Sequence, residues 1–151
     1  MTTAAAPPRT GLVIDLEGGL INVRSIRHLA KDAARFHEAS LGCPPNKRIV
    51  ADARRAHRDG LTVLVMTGGD RRLGERIVAW LGDNEVPAAV LLMRCQGDYR
   101  PGAVVKRERL RAARRRFADL TVWSADPSVT RLSERDGIAV RELPGYWGET
   151  Q

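Results

Sequence analysis

Two carboxylates lie at the end of the first apolar run of the sequence. Residues 11–14 (Gly-Leu-Val-Ile) lead into Asp15, and Glu17 follows two positions later, before Gly18 and Gly19. A short apolar run bounded by turn residues is typical of a buried strand, in which residues two apart share a face. Both carboxylates could therefore reach one site, where they could hold a cation, attack an electrophile or exchange protons. A solvated acidic turn is the alternative interpretation.

Polar side chains also follow the second and fourth apolar runs. Thr67 precedes Gly68 and Gly69, Asp126 follows the fourth run, and Lys106 lies near the start of the helix after the third. A parallel sheet gathers such strand ends along one edge. Separated carboxylates suit Mg²⁺, and a hydroxyl beside two glycines, together with an ammonium group, suits phosphate oxygens. The sequence therefore predicts a phosphate site at this edge.

The elements that must position these residues alternate along the chain. Strands are predicted at 11–16, 61–66, within 86–93, at 120–123 and at 138–140. Helices are predicted at 30–41, 46–58, 71–81, 102–117 and 128–135. This alternation favours an α/β fold with a mainly parallel five-stranded sheet and right-handed crossovers. A small flap, with no large cap, is predicted after the first strand and would contain Leu20, Ile21, Val23 and Ile26.

The length and composition favour one soluble domain. Of 151 residues, 11–143 form the predicted domain, between a flexible tail at 1–10 and a C-terminal tail at 144–151. Net charge is +7, and arginine supplies 22 of the 25 basic residues. Arginine suits phosphate recognition, which indicates a nucleic-acid or other phosphorylated partner. A genome bias toward arginine codons explains the same composition equally well.

The cysteines and histidines give little indication of function. Cys43 and Cys95 lie far apart and form no zinc pattern or disulfide framework, which favours a reducing compartment. His28, His37 and His57 are scattered, so we expect surface or satisfied histidines rather than ligands.

No apolar stretch approaches the ~20 residues of a membrane span, and no signal peptide is evident. We therefore expect a cytoplasmic protein without membrane contact.

The order of these motifs resembles that of the haloacid dehalogenase-like hydrolases. The matching runs are Asp15-Leu16-Glu17-Gly18-Gly19, Met66-Thr67-Gly68-Gly69, Lys106 and Ser124-Ala125-Asp126. Within that superfamily, the chain is most similar to the 3′-phosphatase domain of phage-type polynucleotide kinase/phosphatases. The runs that carry this likeness are 91–101, Val104-Val105-Lys106 and 126–129. The resemblance covers 11 to about 140 and implies a Rossmann-like three-layer sandwich.

The resemblance also implies roles for individual residues. Asp15 would be the nucleophile and a Mg²⁺ ligand, and Asp126 would be a second ligand. Glu17 would stand at the position of the general acid/base, whose backbone carbonyl also binds the metal. Thr67, with Gly68, would bind phosphate, and Lys106 would neutralise it. Arg100 would contact the substrate, and Arg24 or Arg27 would do the same from the flap.

Four positions depart from the family pattern. Glu17 replaces an Asp, Gly19 a Thr, Gly69 an Arg that is often present, and Ala125 an acid. Two functions therefore stay open. The first is a Mg²⁺-dependent phosphomonoesterase that forms an aspartyl-phosphate and acts on 3′-phosphate ends of nucleic acid or on nucleotides. The second is a catalytically weakened domain that binds nucleic acid or protein.

The sequence lacks the phosphate-binding loop of a kinase, so we expect a phosphatase-like domain alone. The arginine-rich helix at 107–116 could follow a nucleic-acid backbone or could be an ordinary solvated face.

Overall fold

Five apolar runs form parallel strands in the computed structural model, which describes residues 9–144. The strands are β1 (Thr10–Asp15), β2 (Thr62–Asp70), β3 (Ala88–Arg94), β4 (Asp119–Ser124) and β5 (Ala139–Glu142). Their order in the sheet is β3-β2-β1-β4-β5, and every neighbouring pair is parallel. Most of each predicted tail, at 1–8 and 145–151, lies outside the described residues.

Helices cover both faces of the sheet. They are α1 (Ala33–Ser40), α2 (Lys47–Arg58), α3 (Gly74–Asp83), α4 (Gly102–Arg114) and α5 (Pro127–Arg135). Two short 3-10 segments lie at Arg24–Leu29 and Arg71–Leu73. One core cluster joins the sheet to α1, α2 and α3, and the other joins it to α4 and α5. The predicted three-layer α/β sandwich is therefore confirmed.

The alternation of side chains along the strands explains the two cores. In β1, Leu12 and Ile14 belong to one cluster and Val13 to the other. All three side chains are inaccessible to solvent. A parallel sheet is buried on both faces, so its strands are apolar throughout. Within 9–144, no helix is long and apolar enough to span a lipid bilayer.

The topology places β1 at the centre of the sheet and a switch point beside it. The chain runs outward from β1 through β2 to β3, then returns to the other side of β1 as β4 and β5. In doubly wound sheets, ligands bind at the carboxyl ends of the strands where this reversal occurs. Here those ends are Asp15 of β1 and Ser124 of β4.

The predicted boundary of the second strand was wrong. The prediction ended it at Met66, but β2 continues to Asp70. Met66 lies opposite Leu92, and Asp70 lies opposite Arg94, so β2 contains two extra residues between these pairs. The extra length forms a bulge at 67–69, and glycine tolerates such irregular backbone.

The helix predicted at 102–117 ends at Arg114, and two other predicted helices begin later than expected. Of the range predicted at 30–41, only Ala33–Ser40 forms a helix, α1, and a separate 3-10 segment precedes that range at Arg24–Leu29. The prediction at 71–81 is replaced by a 3-10 turn and then α3. In each case an aspartate, Asp32 or Asp70, caps the start of the helical segment with its side chain.

The segment between β1 and α2 forms the small flap. Leu20, Ile21 and Val23 are fully buried, and Ile21 pairs with the backbone of both Glu17 and Pro45. These contacts anchor the flap to the end of β1. The flap therefore holds α1 beside the carboxyl ends of the strands.

Candidate active site

Asp15 is buried at the end of β1, at the switch point. Its Oδ1 accepts a hydrogen bond from Lys106 Nζ at 3.1 Å, and its Oδ2 accepts one from the Ser124 hydroxyl. Burial raises the pKa of Asp15 above its ordinary value, although Lys106 and Ser124 oppose that effect. Contacts to both oxygens fix the orientation of the carboxylate, which a nucleophile requires.

Glu17 is buried next to Asp15, and its two carboxylate oxygens differ in their surroundings. Oε1 accepts a hydrogen bond from Thr67 Oγ1 at 2.5 Å and lies 3.0 Å from His37 Nδ1. Oε2 is buried without a hydrogen-bond partner among residues 9–144. Leaving such an oxygen unpaired costs free energy, so a bound proton, water or ligand at Oε2 would be stabilised.

The pKa of Glu17 is lowered to about 2. Burial by itself raises this pKa. The hydrogen bond and charge interaction with His37, the charge of Lys106 and the hydrogen bond from Thr67 together outweigh burial. Glu17 is therefore an ionised carboxylate at neutral pH before any ligand binds.

The bulge of β2 presents Thr67 to this site. The Thr67 hydroxyl donates to Glu17 and accepts a hydrogen bond from the Gly69 backbone N–H at 3.0 Å. A Cβ atom at position 68 would lie 2.9 Å from the His37 ring and 4.0 Å from Lys106 Cε. Gly68 therefore leaves room for the His37 ring to lie against the strand.

Lys106 reaches the site from α4, one turn after the helix begins at Gly102. Burial lowers the pKa of Lys106, but the carboxylates of Asp15, Glu17 and Asp126 more than compensate and raise it above its ordinary value. Lys106 is therefore a cation, and its side chain is only 13% exposed. It can neutralise the charge of an anion placed beside Asp15.

Asp126 lies at the start of α5, beyond the end of β4. Its Oδ1 accepts a hydrogen bond from the Ser128 backbone N–H at 2.9 Å, which caps the helix. Its own N–H donates to Ser124 Oγ at 3.0 Å. Its charge raises the pKa of Lys106, so it belongs to the same electrostatic cluster. Ala125, where the family has an acid, is buried in the core.

The oxygen donors at this edge suit a Mg²⁺ ion that takes its other ligands from water and a substrate phosphate. Within 9–144, no three His, Cys, Asp or Glu side chains form a group that could hold an ion alone. Mg²⁺ commonly binds only one or two carboxylates and takes its other ligands from waters and a substrate phosphate. The carboxylates of Asp15 and Asp126 and the backbone carbonyl of Glu17 are hard oxygen donors, so the donor chemistry fits that mode.

Arg100, one of the predicted substrate arginines, pairs with carboxylates other than Asp15 and Glu17. Arg100 binds Asp98 through Nε and Nη2 at 3.0 and 2.9 Å, and it also binds Glu108 through Nη1 and Nη2. Two carboxylates thus occupy two edges of its guanidinium group. Arg24 is exposed and Arg27 is half-buried on the 3-10 segment of the flap.

The glycine at position 19 has a structural explanation. A Cβ atom there would lie 2.1 Å from the Asp15 backbone carbonyl oxygen, far inside contact distance. The flap turns so sharply after β1 that the Leu20 N–H hydrogen-bonds the same carbonyl. Threonine, the usual residue of the family pattern, does not fit this turn.

Sequence reasoning missed two residues of the cluster. Ser124 carries a short hydrogen bond to Asp15, and its position at a strand end, beside Ala125 and Asp126, was the available signal. His37 contacts Glu17 from α1, twenty positions along the chain. The prediction of a surface or satisfied histidine gave it no role in the site, and no spacing in the sequence indicated the contact.

Comparison with solved structures finds the same fold. A chain in the structure of the Pnkp1/Rnl/Hen1 complex superposes with a TM-score of 0.75 and 16% identity over 94% of this chain. A chain in a structure of the Pnkp1/Rnl/Hen1 RNA repair complex gives 0.76, also at 16% identity and 94% coverage. This fold occurs in an RNA repair complex. The present chain spans 48% and 44% of those two chains.

A protein of unknown function from Bordetella pertussis Tohama I is a more distant match. Its TM-score is 0.50 at 12% identity, and the match covers 89% of this chain and 99% of that one. No protein-family model matches the sequence, and no curated protein matches it significantly. At these identities the likeness extends to the fold alone.

Proposed function

We propose that this protein is a haloacid dehalogenase-like phosphomonoesterase that forms an aspartyl-phosphate and depends on Mg²⁺. One observation carries the proposal. At the switch point of the sheet, Asp15 is held by the Lys106 ammonium and the Ser124 hydroxyl, beside Glu17 and Thr67. This set combines an oriented nucleophile, a fixed positive charge, a carboxylate and a hydroxyl within one buried cluster.

The first half of the reaction transfers the phosphoryl group to the protein. An oxygen of Asp15 forms a bond to phosphorus, and the bond between phosphorus and the ester oxygen breaks. The leaving oxygen takes a proton from Glu17. Lys106 and the Gly68 backbone offset the charge on the phosphoryl oxygens, and the Thr67 hydroxyl joins them when it turns its hydrogen bond from Glu17 to the phosphate.

The second half restores Asp15. Glu17, now ionised, accepts a proton from water as the water oxygen bonds to phosphorus. The bond between phosphorus and Asp15 breaks, which releases inorganic phosphate and regenerates the carboxylate. Oε2 is the Glu17 oxygen suited to this proton, because Oε1 is held by His37 and Oε2 has no hydrogen-bond partner among residues 9–144.

Glu17 must be protonated when the substrate is bound. A phosphate group beside Lys106 and Thr67 brings negative charge close to Glu17, and like charges raise the pKa of a carboxyl group. Substrate binding thus favours the protonated form that the first half requires.

Asp15, Asp126 and the backbone carbonyl of Glu17 would hold Mg²⁺. When bound, the ion would neutralise phosphoryl charge and hold the substrate in line with Asp15.

A phosphorylated nucleic-acid end or a nucleotide is the substrate class that we propose. The small flap leaves the strand ends without a large cap among the described residues, so a large substrate can approach. Two of the structural neighbours come from the Pnkp1/Rnl/Hen1 RNA repair complex, and the net charge of +7 favours a polyanion.

The decisive experiment measures phosphate release by the wild-type protein and by Asp15→Asn. The substrates are a 3′-phosphorylated oligonucleotide, a 3′-nucleotide and an aryl phosphate, each with Mg²⁺ and with EDTA. We expect release that requires Mg²⁺ and is abolished in Asp15→Asn. Asp119→Asn, at an exposed aspartate that begins β4, is the matched control and retains activity. Equal release by the wild-type protein and Asp15→Asn refutes the proposal.

A catalytically weakened binding module is the second candidate function. It is favoured by Ala125, which places a core methyl group where the family has an acid, and by Glu17, whose Oε1 already has two partners. The low pKa of Glu17 also opposes proton donation. Salt-sensitive binding of RNA or DNA, with no phosphate release by folded protein, would support this candidate.

A further inference from the structure

A cleft of about 590 Å³ lies beside the Asp15 cluster. Its walls come from α1, from the bulge of β2 and from the loop between β3 and α4, and they include His37, Gly68, Arg94 and Tyr99. The volume is within the range of pockets that bind small molecules. Gly68 lies between the cleft and the cluster, because it adjoins Thr67 and contacts His37.

The charges that line the cleft are already balanced. Arg72 pairs with Asp70 at 2.8 Å, and Arg100 pairs with Asp98 at 2.9 Å. Arg94 donates instead to backbone carbonyls, including that of Gly68 at 3.1 Å. Such a lining attracts a string of phosphates weakly. It suits a neutral polar group that is attached to the phosphate.

Tyr99 supplies a flat apolar surface at the rim. Its side chain is 93% exposed, more than any other large hydrophobic residue in the described part of the chain. A tyrosine that is exposed beside a cleft can stack on a nucleobase, and such stacking tolerates any base.

We propose that the cleft binds the nucleoside that carries the phosphate, with the base stacked on the Tyr99 ring. This inference rests on the proposed function for the position of the phosphate beside Asp15. It adds a recognition site for one sugar and one base, outside the Asp15 cluster. The substrate class is accordingly a nucleoside monophosphate, either free or at the end of a strand.

The test measures binding, so that it does not depend on turnover. The ligands are a 3′-phosphorylated mononucleotide and a tetranucleotide, each with 2-aminopurine as its phosphorylated terminal nucleotide. They are titrated into the Asp15→Asn protein. We expect 2-aminopurine fluorescence to be quenched on binding. We also expect Tyr99→Ala to abolish the quenching and weaken binding about 5- to 150-fold, while Tyr99→Phe retains both.

Val78→Ala is the matched control, because Val78 is 59% exposed on α3 and does not line the cleft. Equal affinity for the mononucleotide and the tetranucleotide supports recognition of one nucleoside. Tighter binding of the tetranucleotide indicates that the nucleoside bound by the cleft belongs to the end of a strand. The inference is overturned if neither ligand binds, if binding leaves the fluorescence unchanged, or if Tyr99→Ala binds as tightly as its parent.

The two proposals fail separately. If nucleotide binding requires Tyr99 but the wild-type protein releases no phosphate, the proposed nucleoside site is supported and the proposed phosphatase activity is refuted. If phosphate release requires Asp15 but kcat/KM for the 3′-nucleotide is equal in the wild-type protein and Tyr99→Ala, the proposed phosphatase activity is supported and the proposed nucleoside site is refuted.

Discussion

His37 links the acid of the candidate site to the flap. Glu17 is one methylene longer than the aspartate of the family pattern, so its carboxylate needs a different set of contacts. The structure supplies them from Thr67 and from His37 Nδ1, and the His37 ring packs where Gly68 has no Cβ atom. We interpret His37 as a positioning residue for Glu17.

Replacing His37 tests this interpretation. In His37→Ala, Oε1 of Glu17 loses one of its two partners, and we expect kcat to fall about 10- to 100-fold, with a smaller change in KM. His37→Asn places an amide nitrogen near the position of Nδ1 and recovers part of kcat. His57→Ala, at an exposed histidine of α2, leaves kcat unchanged. An unchanged kcat in His37→Ala would contradict the positioning role.

A second prediction at the residue scale concerns two glycines. Gly19→Ala forces a Cβ atom against the Asp15 carbonyl, so we expect the free energy of unfolding to fall by about 1–3 kcal/mol. Gly82→Ala is the matched control, because a Cβ atom there has nothing within 4 Å and the position is helical. Alanine at 82 should raise the free energy of unfolding by about 0.5–1 kcal/mol. Urea titration measures both changes, and equal effects would exclude the close contact at Gly19.

Because parallel strands end at one edge of a sheet, the sequence predicts that several site residues lie close together. It does not predict the contacts of the others. Lys106 contacts Asp15 across 91 positions, and Thr67 contacts Glu17 across 50, as expected for side chains at one edge of a parallel sheet. His37 was missed because its position depends on how the flap folds back, which follows no regular period. The engagement of Arg100 by Asp98 and Glu108 was likewise missed, because it is a tertiary contact.

At the scale of elements, the arginine-rich helix α4 has a structural role that its sequence did not indicate. Arg107 and Arg111 each make two hydrogen bonds to Asp136, which follows the end of α5. The spacing of four residues places both arginines on one side of α4. Two of the arginines that could follow a nucleic-acid backbone thus join α4 to α5.

The Asp136 contacts make stability depend on pH. The hydrogen bonds from Arg107 and Arg111 hold the pKa of Asp136 well below its ordinary value of 3.8. Because the folded state has the lower pKa, the contribution is complete above about pH 4, near the unfolded value. It is lost as the pH falls toward the folded value.

We therefore expect Asp136→Asn to have a lower Tm than the wild-type protein at pH 7. The difference should be unchanged at pH 5 and should narrow progressively below pH 4. Asp119→Asn is again the control, since it replaces an exposed aspartate at the start of β4. A Tm difference that persists unchanged from pH 7 to pH 3 would show that the ion pairs are not its cause.

The strands themselves were easier to predict than their ends. All five were identified from apolar runs, since a buried parallel strand is apolar on both faces. The extension of β2 to Asp70 was not predicted, because the segment Thr67-Gly68-Gly69-Asp70 has the composition of a turn. There the pairing with β3 determines the structure rather than local preference.

At the scale of the molecule, the net charge of +7 should act on a polyanion over a longer range than on a small ester. We expect KM for a 3′-phosphorylated oligonucleotide to rise steeply between about 50 and 200 mM salt. KM for an aryl phosphate should change much less. Steady-state kinetics at fixed Mg²⁺ measure both, and parallel changes would show that the overall charge does not attract the oligonucleotide.

The position of β1 has a consequence for synthesis on the ribosome. The strand that is translated first ends in the middle of the sheet, and its neighbour β4 begins only at Asp119. Until then, one side of an apolar nascent strand lacks its hydrogen-bonding partner and is open to aggregation. Asp15 likewise meets Ser124 only after more than a hundred further residues have been added. The candidate site is therefore absent from every nascent chain that ends before Ser124.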